Sequence, residues 1–414
     1  MRVTHIITRL VVGGAQENTL ATVRGLRQKP GLEVNLISGP TTGPEGSLEA
    51  AAGEIFSLAH LRGEGRGEGS FNSQTFTIVP ELVRPVHPLK DFIALRQLEK
   101  ILRAQKPDLV HTHSGKAGIL GRLAARRAGV PIIVHHIHGP SFGNFQGALA
   151  NLVFTAAERR TALVTDHFFC SAAAMTQRYL AAGIGRPAMF TRIFSGFQLD
   201  PFLNATNDPA LRQKLGIPPD AFVIGKIGRL FKLKGHADLI TAFARILPQV
   251  PHARLLLVGD GALRGELESR IRTLGLDGKV IFTGLVPPGE VARYVGLMDC
   301  LAHLSYREAL SRALPQALAT GKPVVAYDFD GADEVCLENE TGFLIPTGDI
   351  DAAARRLLQL ANDSALRTQF GQRGRQFVKE NFSVEKMVDD QYSIYMKLAA
   401  ERHLPRASAE KETG

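Results

Sequence analysis

A chain of 414 residues with 44% apolar and 21% charged residues is globular, and it is long enough for two cores rather than one. Its net charge of +9 sits in one half: residues 1–195 carry 22 Lys+Arg against 13 Asp+Glu, whereas residues 196–414 carry 27 of each. Three distant cysteines, Cys170, Cys300 and Cys336, exclude a disulfide framework or CxxC site, and no apolar run has the length of a membrane span.

The chain opens with MRVTHIIT, which reads as a first strand and lacks the apolar core of a secretory leader. A helix follows from about Ala15. LRGEGRGEGS (61–70) is too glycine-rich and charged to pack, and reads as a mobile loop. Over 91–105, Arg96, Lys100 and Arg103 interleave with Phe92, Ile93, Leu95, Leu98, Ile101 and Leu102. That pattern is a basic amphipathic helix able to rest on anionic lipid, although its apolar stripe is more often a buried face. Phe142, Phe145, Leu149 and Phe154 carry the same two readings. DLVHTH (108–113), PIIVHHIHG (131–139), HFFCS (167–171) and FTRIFSG (190–196) read as strands, with a helix at Lys116–Ala128 and another after HFFCS.

Residues 197–221, with four prolines, read as a connector. Strand and helix patterns then alternate: FVIGKIG, His236–Leu247, RLLLVG, Ala262–Leu274, VIFTG, Glu290–Met298, CLAHL, a helix to about Thr320, and PVVAY. The rhythm predicts an α/β protein of two doubly wound Rossmann-like domains facing across a cleft, with ligands beyond the carboxyl ends of the strands. The expected divisions are 1–196, the connector, a ligand-binding domain at 222–382, a helix at 383–403 packing back on the first domain, and a disordered tail from Leu404.

SYREALSRALPQALATGKPVVAYDFDG (305–331) carries the most chemistry. With Ser311 as N-cap, the N–H groups of Ala309 to Ala313 open a helix toward an anion such as a diphosphate. An acid beside that phosphate is repelled by it. Glu308 therefore suits a neutral, hydroxyl-rich group such as a sugar, unless it merely complements the helix dipole. Gln316, one turn in, suits a ribose. GRLFKLKG (228–235) puts Arg229 and Lys234 at a strand's carboxyl end, where two cations would neutralise a diphosphate.

These motifs together with VGDG, ATGKPVVA, ITRLVVGGAQ, PDLVHTHSGKAGILGRLAARRAGVP and HHIHGPSF resemble the retaining glycosyltransferases of family 4, which have the GT-B fold. The resemblance implies transfer of a sugar from a nucleotide sugar, UDP-linked by expectation, to a lipid-linked or surface-polysaccharide precursor. It implies Arg229 and Lys234 on the donor diphosphate, Glu308 on sugar hydroxyls, the amides of Ala309, Leu310 and Ser311 on sugar and phosphate, and His138 facing the donor sugar. Gly13 and Gly14 would open the first helix toward the donor, and Gly284 and Leu285 would sit near the base. Lys116 is placed on the acceptor side. Family members carry a second Glu where this chain has Gln316, which implies weaker or altered nucleotide binding. No cofactor and no metal are expected. A cytoplasmic setting is expected, with an anionic membrane surface as a partner of the basic half unless its charge serves only solubility.

Other signals are weaker. His111, His113, His135, His136 and His138 crowd two strand ends, but almost no acid is near, so hydrogen-bonded wall residues are expected rather than a zinc site. DFD (328–330) reads as a turn, GDGALRG lacks the third glycine of a dinucleotide fingerprint, and SGKAG lacks the upstream glycine of a P-loop. A nucleic-acid partner is not expected, because no interleaved aromatics or known module accompany the basic residues. The competing readings are an epimerase on the same frame and a nucleotide-sugar binder without turnover.

Overall fold

The computed structural model describes residues 1–42, 46–57, 75–143 and 145–404. The glycine-rich segment at 61–70 and the tail beyond Leu404 lie outside them. The chain divides into a unit of residues 1–197 and 384–414 and a unit of residues 198–383.

In the first unit the strands are β1 (Arg2–Ile7), β2 (Glu33–Ser38), β3 (Phe76–Ile78), β4 (Leu109–His113), β5 (Ile132–Ile137), β6 (His167–Cys170) and β7 (Phe190–Arg192). They form one parallel sheet ordered β3-β2-β1-β4-β5-β6-β7. The order reverses between β1 and β4, as in doubly wound sheets. Helices cover both faces, so β4 and β5 are buried at every residue, which is why they read as unbroken apolar runs interrupted by histidines and a threonine. The main helices are α1 (Gly14–Leu26), α2 (Glu49–Ser57), α3 (Pro88–Gln105), α4 (Gly115–Ala128), α5 (Ala148–Ala162) and α6 (Ala173–Ala181). Leu95, Leu98 and Leu102 of α3 pack into a core with Ala117, Ala124 and Ala125 of α4, so most of the amphipathic stripe is a buried face. Leu89 and Phe92 stay exposed.

The second unit begins inside the segment expected to be a connector. Its prolines do not leave it extended: α7 (Asp200–Leu203) and α8 (Pro209–Lys214) form, and Phe202 and Leu211 are buried. Asp208 caps α8 by accepting from the N–H groups of Ala210 and Leu211 at 3.0 and 3.1 Å, and Pro209 occupies its first turn. The strands β8 (Val223–Ile227), β9 (Arg254–Val258), β10 (Val280–Phe282), β11 (Cys300–His303), β12 (Val324–Tyr327) and β13 (Gly342–Ile345) form a parallel sheet ordered β10-β9-β8-β11-β12-β13. Around it lie α9 (His236–Ile246), α10 (Arg264–Thr273), α11 (Val291–Gly296), α12 (Ala313–Ala319), α13 (Ile350–Asn362) and α14 (Ser364–Asn381).

The last helix, α15 (Val384–Glu401), belongs to the first unit. Val388 packs so closely on Gly25 of α1 that a Cβ there would come within 2.5 Å of it. Met387, Val388, Tyr395 and Ala399 join the core of β1, β2 and α1. No helix among the described residues is long and apolar enough to cross a membrane.

One buried ion pair fixes the segment that follows β5. Arg122 and Glu158, both fully buried, meet at 2.6 Å between α4 and α5. Ser141 donates to the other carboxylate oxygen at 2.8 Å, and the Arg122 guanidinium also donates to the carbonyl of Gly118 at 2.7 Å. Removing one partner strands the other charge out of water, which costs about 3–5 kcal/mol, whereas an apolar pair of similar volume is often neutral. Arg122→Met and Glu158→Leu are therefore expected each to lower unfolding free energy by about that amount in denaturant titrations. The double variant should lose much less than the sum; additive losses would show that the pair is not the unit that matters.

Candidate active site

In the second unit the carboxyl ends of β8 and β11 bring together the two loops singled out by sequence. β8 ends at Ile227 and the chain turns at Gly228. Leu230 and Leu263 tie this loop to the one after β9, through bonds to the carbonyls of Asp260 (2.9 Å) and Leu230 (3.0 Å). Leu233 has φ 69°, a strained value for a branched side chain, and Gly235 has φ 66°. Only glycine fits at 235, because a Cβ would lie 1.6 Å from the carbonyl oxygen of Leu304. The carbonyl of Leu233 accepts from the Tyr306 N–H at 2.8 Å and the Ser305 hydroxyl at 3.1 Å. The Lys234 loop and the Glu308 loop are thus stitched into one piece.

Across that seam the Lys234 ammonium donates to the Glu308 carboxylate in a half-buried ion pair. His303 of β11 lies 3.8 Å from the same carboxylate oxygen. The Glu308 N–H donates to Asp330 at 3.2 Å, and Gly331 N–H donates to the carbonyl of Ala309 at 3.2 Å, so the turn read from DFD pins the Glu308 loop. The regular turns of α12 start at Ala313, one residue later than a Ser311 cap implies, and the Ser311 hydroxyl accepts from the Ala313 N–H at 3.3 Å as a capping side chain does. The amides of Ala309, Leu310 and Ser311 therefore belong to the loop before the helix, where they meet no acceptor among the described residues. With His303, Ser305, Glu308 and Leu314 these residues line a small pocket. Gln316, half-buried, sits one turn into α12. Arg229 is exposed, with its guanidinium carbon 6.0 Å from the Phe231 ring. Gly284, at φ 72°, pairs with Gly259, and Leu285 beyond it is 72% exposed.

Beneath the ion pair lie groups that sequence reasoning missed. Lys226 of β8 and His236 of α9 are buried, as is His303. The Lys226 ammonium, His236 Nδ1 and both ring nitrogens of His303 have no hydrogen-bond partner among the described residues. Burial, helped by the Lys234 charge, brings Lys226 down to about 7. Burial likewise brings His236 to about 3. Asp238 accepts from the hydroxyls of Tyr306 at 2.5 Å and Tyr327 at 2.7 Å. The signal for Lys226 was visible in FVIGKIG, a lone cation in an apolar strand.

In the first unit, histidines from three strands meet. His5 Nδ1 lies 2.9 Å from His113 Nε2, and His113 Nδ1 lies 3.0 Å from His138 Nε2, a hydrogen-bonded row ending at the half-buried His138. His111 Nδ1 is 2.5 Å from the hydroxyl of Tyr395, and His136 stacks on His138 with ring centroids 4.0 Å apart. His135 points to the opposite face, bonded to Thr112 at 2.9 Å. As expected, most of the five histidines at these strand ends are hydrogen-bonded, the exception being His136; His5 Nε2, His111 Nε2 and both nitrogens of His136 lack partners among the described residues. Two nitrogen triads, His5–His111–His113 and His113–His136–His138, are close enough to share an ion. The nitrogens that link these triads are bonded to one another in this structure. Gly13 and Gly14 begin α1, with Gly13 extended. Lys116 donates to Asp91 at 2.5 Å and to the carbonyl of Pro85, fastening α4 to the start of α3.

The model of "Glycosyl transferase 4-like domain" matches residues 13–191, and that of "Glycosyl transferases group 1" matches 207–377. The UDP-Gal:alpha-D-GlcNAc-diphosphoundecaprenol alpha-1,3-galactosyltransferase of Escherichia coli is 29% identical over 328 residues, covering 78% of this chain and 84% of that one. The capsular polysaccharide biosynthesis glycosyltransferase CapM of Staphylococcus aureus is 23% identical, with 84% and 92% covered. Among solved structures, Anabaena HepE in complex with UDP-glucose superposes with a TM-score of 0.75 at 21% identity, covering 96% of this chain and all of that one.

Burial holds His5 and His138 down to about 3 and His111, His113, His135 and His136 well below the usual imidazole value. These groups are neutral when folded and charge near pH 6.5 when unfolded, so their contribution is fully present above pH 6.5 and is lost as pH falls toward 3. Each adds a slope of about 1.4 kcal/mol per pH unit in that window. Thermal melts should therefore show the first unit losing stability steeply between pH 6.5 and 5, with a shallower slope in His136→Phe. A flat profile would contradict the neutral, buried state.

Proposed function

The chain is a GT-B glycosyltransferase, and on that premise we propose that it moves a hexosyl group from a UDP-sugar to a lipid-linked or surface-polysaccharide precursor with retention of anomeric configuration. The observation that carries this reading is the Lys234–Glu308 ion pair beside three loop amides that meet no acceptor among the described residues. A sugar diphosphate satisfies every member: diphosphate oxygens on Lys234, Arg229 and the amides of Ala309 to Ser311, and sugar hydroxyls on Glu308. Charge grows on the diphosphate as the bond from the anomeric carbon to its oxygen breaks, and fixed donors stabilise that charge. The acceptor oxygen then bonds the anomeric carbon from the same face, and its proton passes to the departing phosphate oxygen. Nothing in this sequence calls on a metal. Gln316 can still accept from one ribose hydroxyl, though without the charge of a glutamate.

The acceptor class is supported by the E. coli relative, whose named acceptor carries a diphosphoundecaprenol, and by exposed apolar side chains in the basic unit. Val86, Leu89 and Phe92 at the start of α3 are 55–66% exposed, and Leu149, Leu152 and Val153 at the start of α5 are 56–75% exposed. Such residues beside Arg84, Lys90 and Arg96 suit an anionic lipid surface.

Incubation with a panel of nucleotide sugars, with and without membrane lipid extract, should give UDP release that depends on the extract. Lys234→Ala and Glu308→Ala should each lower that release by ~10²–10³-fold. Binding with no release under any condition would instead favour a binder without turnover, and Gln316→Glu then tests whether the amide is the lesion. Leu89→Asp combined with Phe92→Asp should weaken sedimentation with anionic vesicles by about tenfold or more. Unchanged sedimentation would remove α3 from the docking surface.

A further inference from the structure

Under the Lys234–Glu308 pair lies a charge that the reaction above leaves unused. Lys226 is 1% exposed, and no acceptor meets its ammonium among the described residues. Residue 225, its neighbour in β8, pairs with Leu301 of β11, so Lys226 lies beside the strand end that leads through His303 to Glu308. Five titratable groups act on or around it: Lys234 from the loop before α9, His236 and Asp238 from α9, His303 from β11, and Glu308. Asp238 is already held by two tyrosine hydroxyls. Burial lowers His236 to about 3 and His303 well below the usual imidazole value, so both are neutral near pH 7. That leaves Glu308 as the available counter-charge, and in this structure Lys234 occupies it.

Lys234 cannot fully serve both Glu308 and a diphosphate. Resting on the site reading above, we propose that Lys226 is a positioning residue: when a nucleotide sugar draws Lys234 onto its diphosphate, Lys226 takes up a proton from solvent and becomes the counter-ion that keeps Glu308 ionised and aimed at the sugar. The direction follows from the surroundings. Lys234 opposes the charge on Lys226 and Glu308 favours it. A diphosphate on Lys234 cancels the first effect, and release of Glu308 strengthens the second. A lysine titrating near 7 that becomes fully charged takes up about 0.7 proton at pH 7.5.

The test is calorimetric titration of the full chain with UDP-glucose, UDP-galactose and GDP-mannose, whose diphosphates do not titrate near neutrality. Each is run at pH 7.5 in phosphate, HEPES and Tris. The slope of observed enthalpy against buffer ionisation enthalpy counts protons, and the expected value is about 0.7 taken up per donor bound. Lys226→Met should abolish the slope and weaken binding about tenfold. Lys226→Arg, permanently charged, should abolish the slope yet restore affinity, an outcome that a purely structural lysine would not give. Binding by the wild-type chain with no slope, or a slope that survives in Lys226→Met, would overturn the assignment while leaving the donor site intact. No binding of any of the three sugars would overturn the donor-site reading, and this inference with it.

Discussion

The second unit is organised around a conflict of charge at the end of a parallel sheet. A carboxylate and an ammonium are held against each other at the loops that follow β8 and β11, and the backbone that carries each is fixed. Leu233 and Gly235 flank the lysine in left-handed conformations, and the backbone of Tyr306 is bonded to the loop carrying it. Asp330 holds the amide of Glu308 from the other side. The strain at Leu233 persists because its carbonyl is fixed twice. In the proposed reaction this rigidity places an acid for sugar hydroxyls next to donors for phosphate.

The first unit handles titratable groups in the opposite way. Its histidines come from β1, β4 and β5, they are buried, and they stay uncharged because nothing nearby would pay the cost of ionising them. Hydrogen bonds run ring to ring from His5 to His138, so the orientation of the half-buried His138 is set from deep within the sheet. The buried Arg122–Glu158 pair reaches Ser141 three residues further on, which anchors the segment after β5. A neutral polar row and a compensated ion pair therefore meet at one strand end, each stable for a different reason.

Charge on a larger scale divides between the same two units. The excess of basic residues is confined to the first 195 positions, and the exposed leucines, valines and Phe92 at the starts of α3 and α5 lie in that half. In the proposed docking, long-range attraction to an anionic surface and short-range burial of apolar side chains would act on the same unit. Lys116 fastens α4 to α3 within that unit.

The sequence by itself determined the alternation of strands and helices, the two parallel sheets, and the loops at 228–235 and 305–311 that carry Arg229, Lys234 and Glu308. These are legible because strand and helix periods, turn glycines and the loops after strand ends are local features. β2, β3 and β13 were not anticipated, β3 because three residues show no period, whereas Ser311 bonds the Ala313 amide at the start of α12 as its place in the sequence implies. What only the tertiary structure decided is which distant groups meet. Lys234 and Glu308 are 74 positions apart and His5 and His113 are 108 apart. Lys226 read as one more strand residue until the pairing of β8 with β11 set it beneath an ion pair. Register between strands far apart in the chain fixes such encounters, and the energy of a buried charge depends on the neighbours that register supplies.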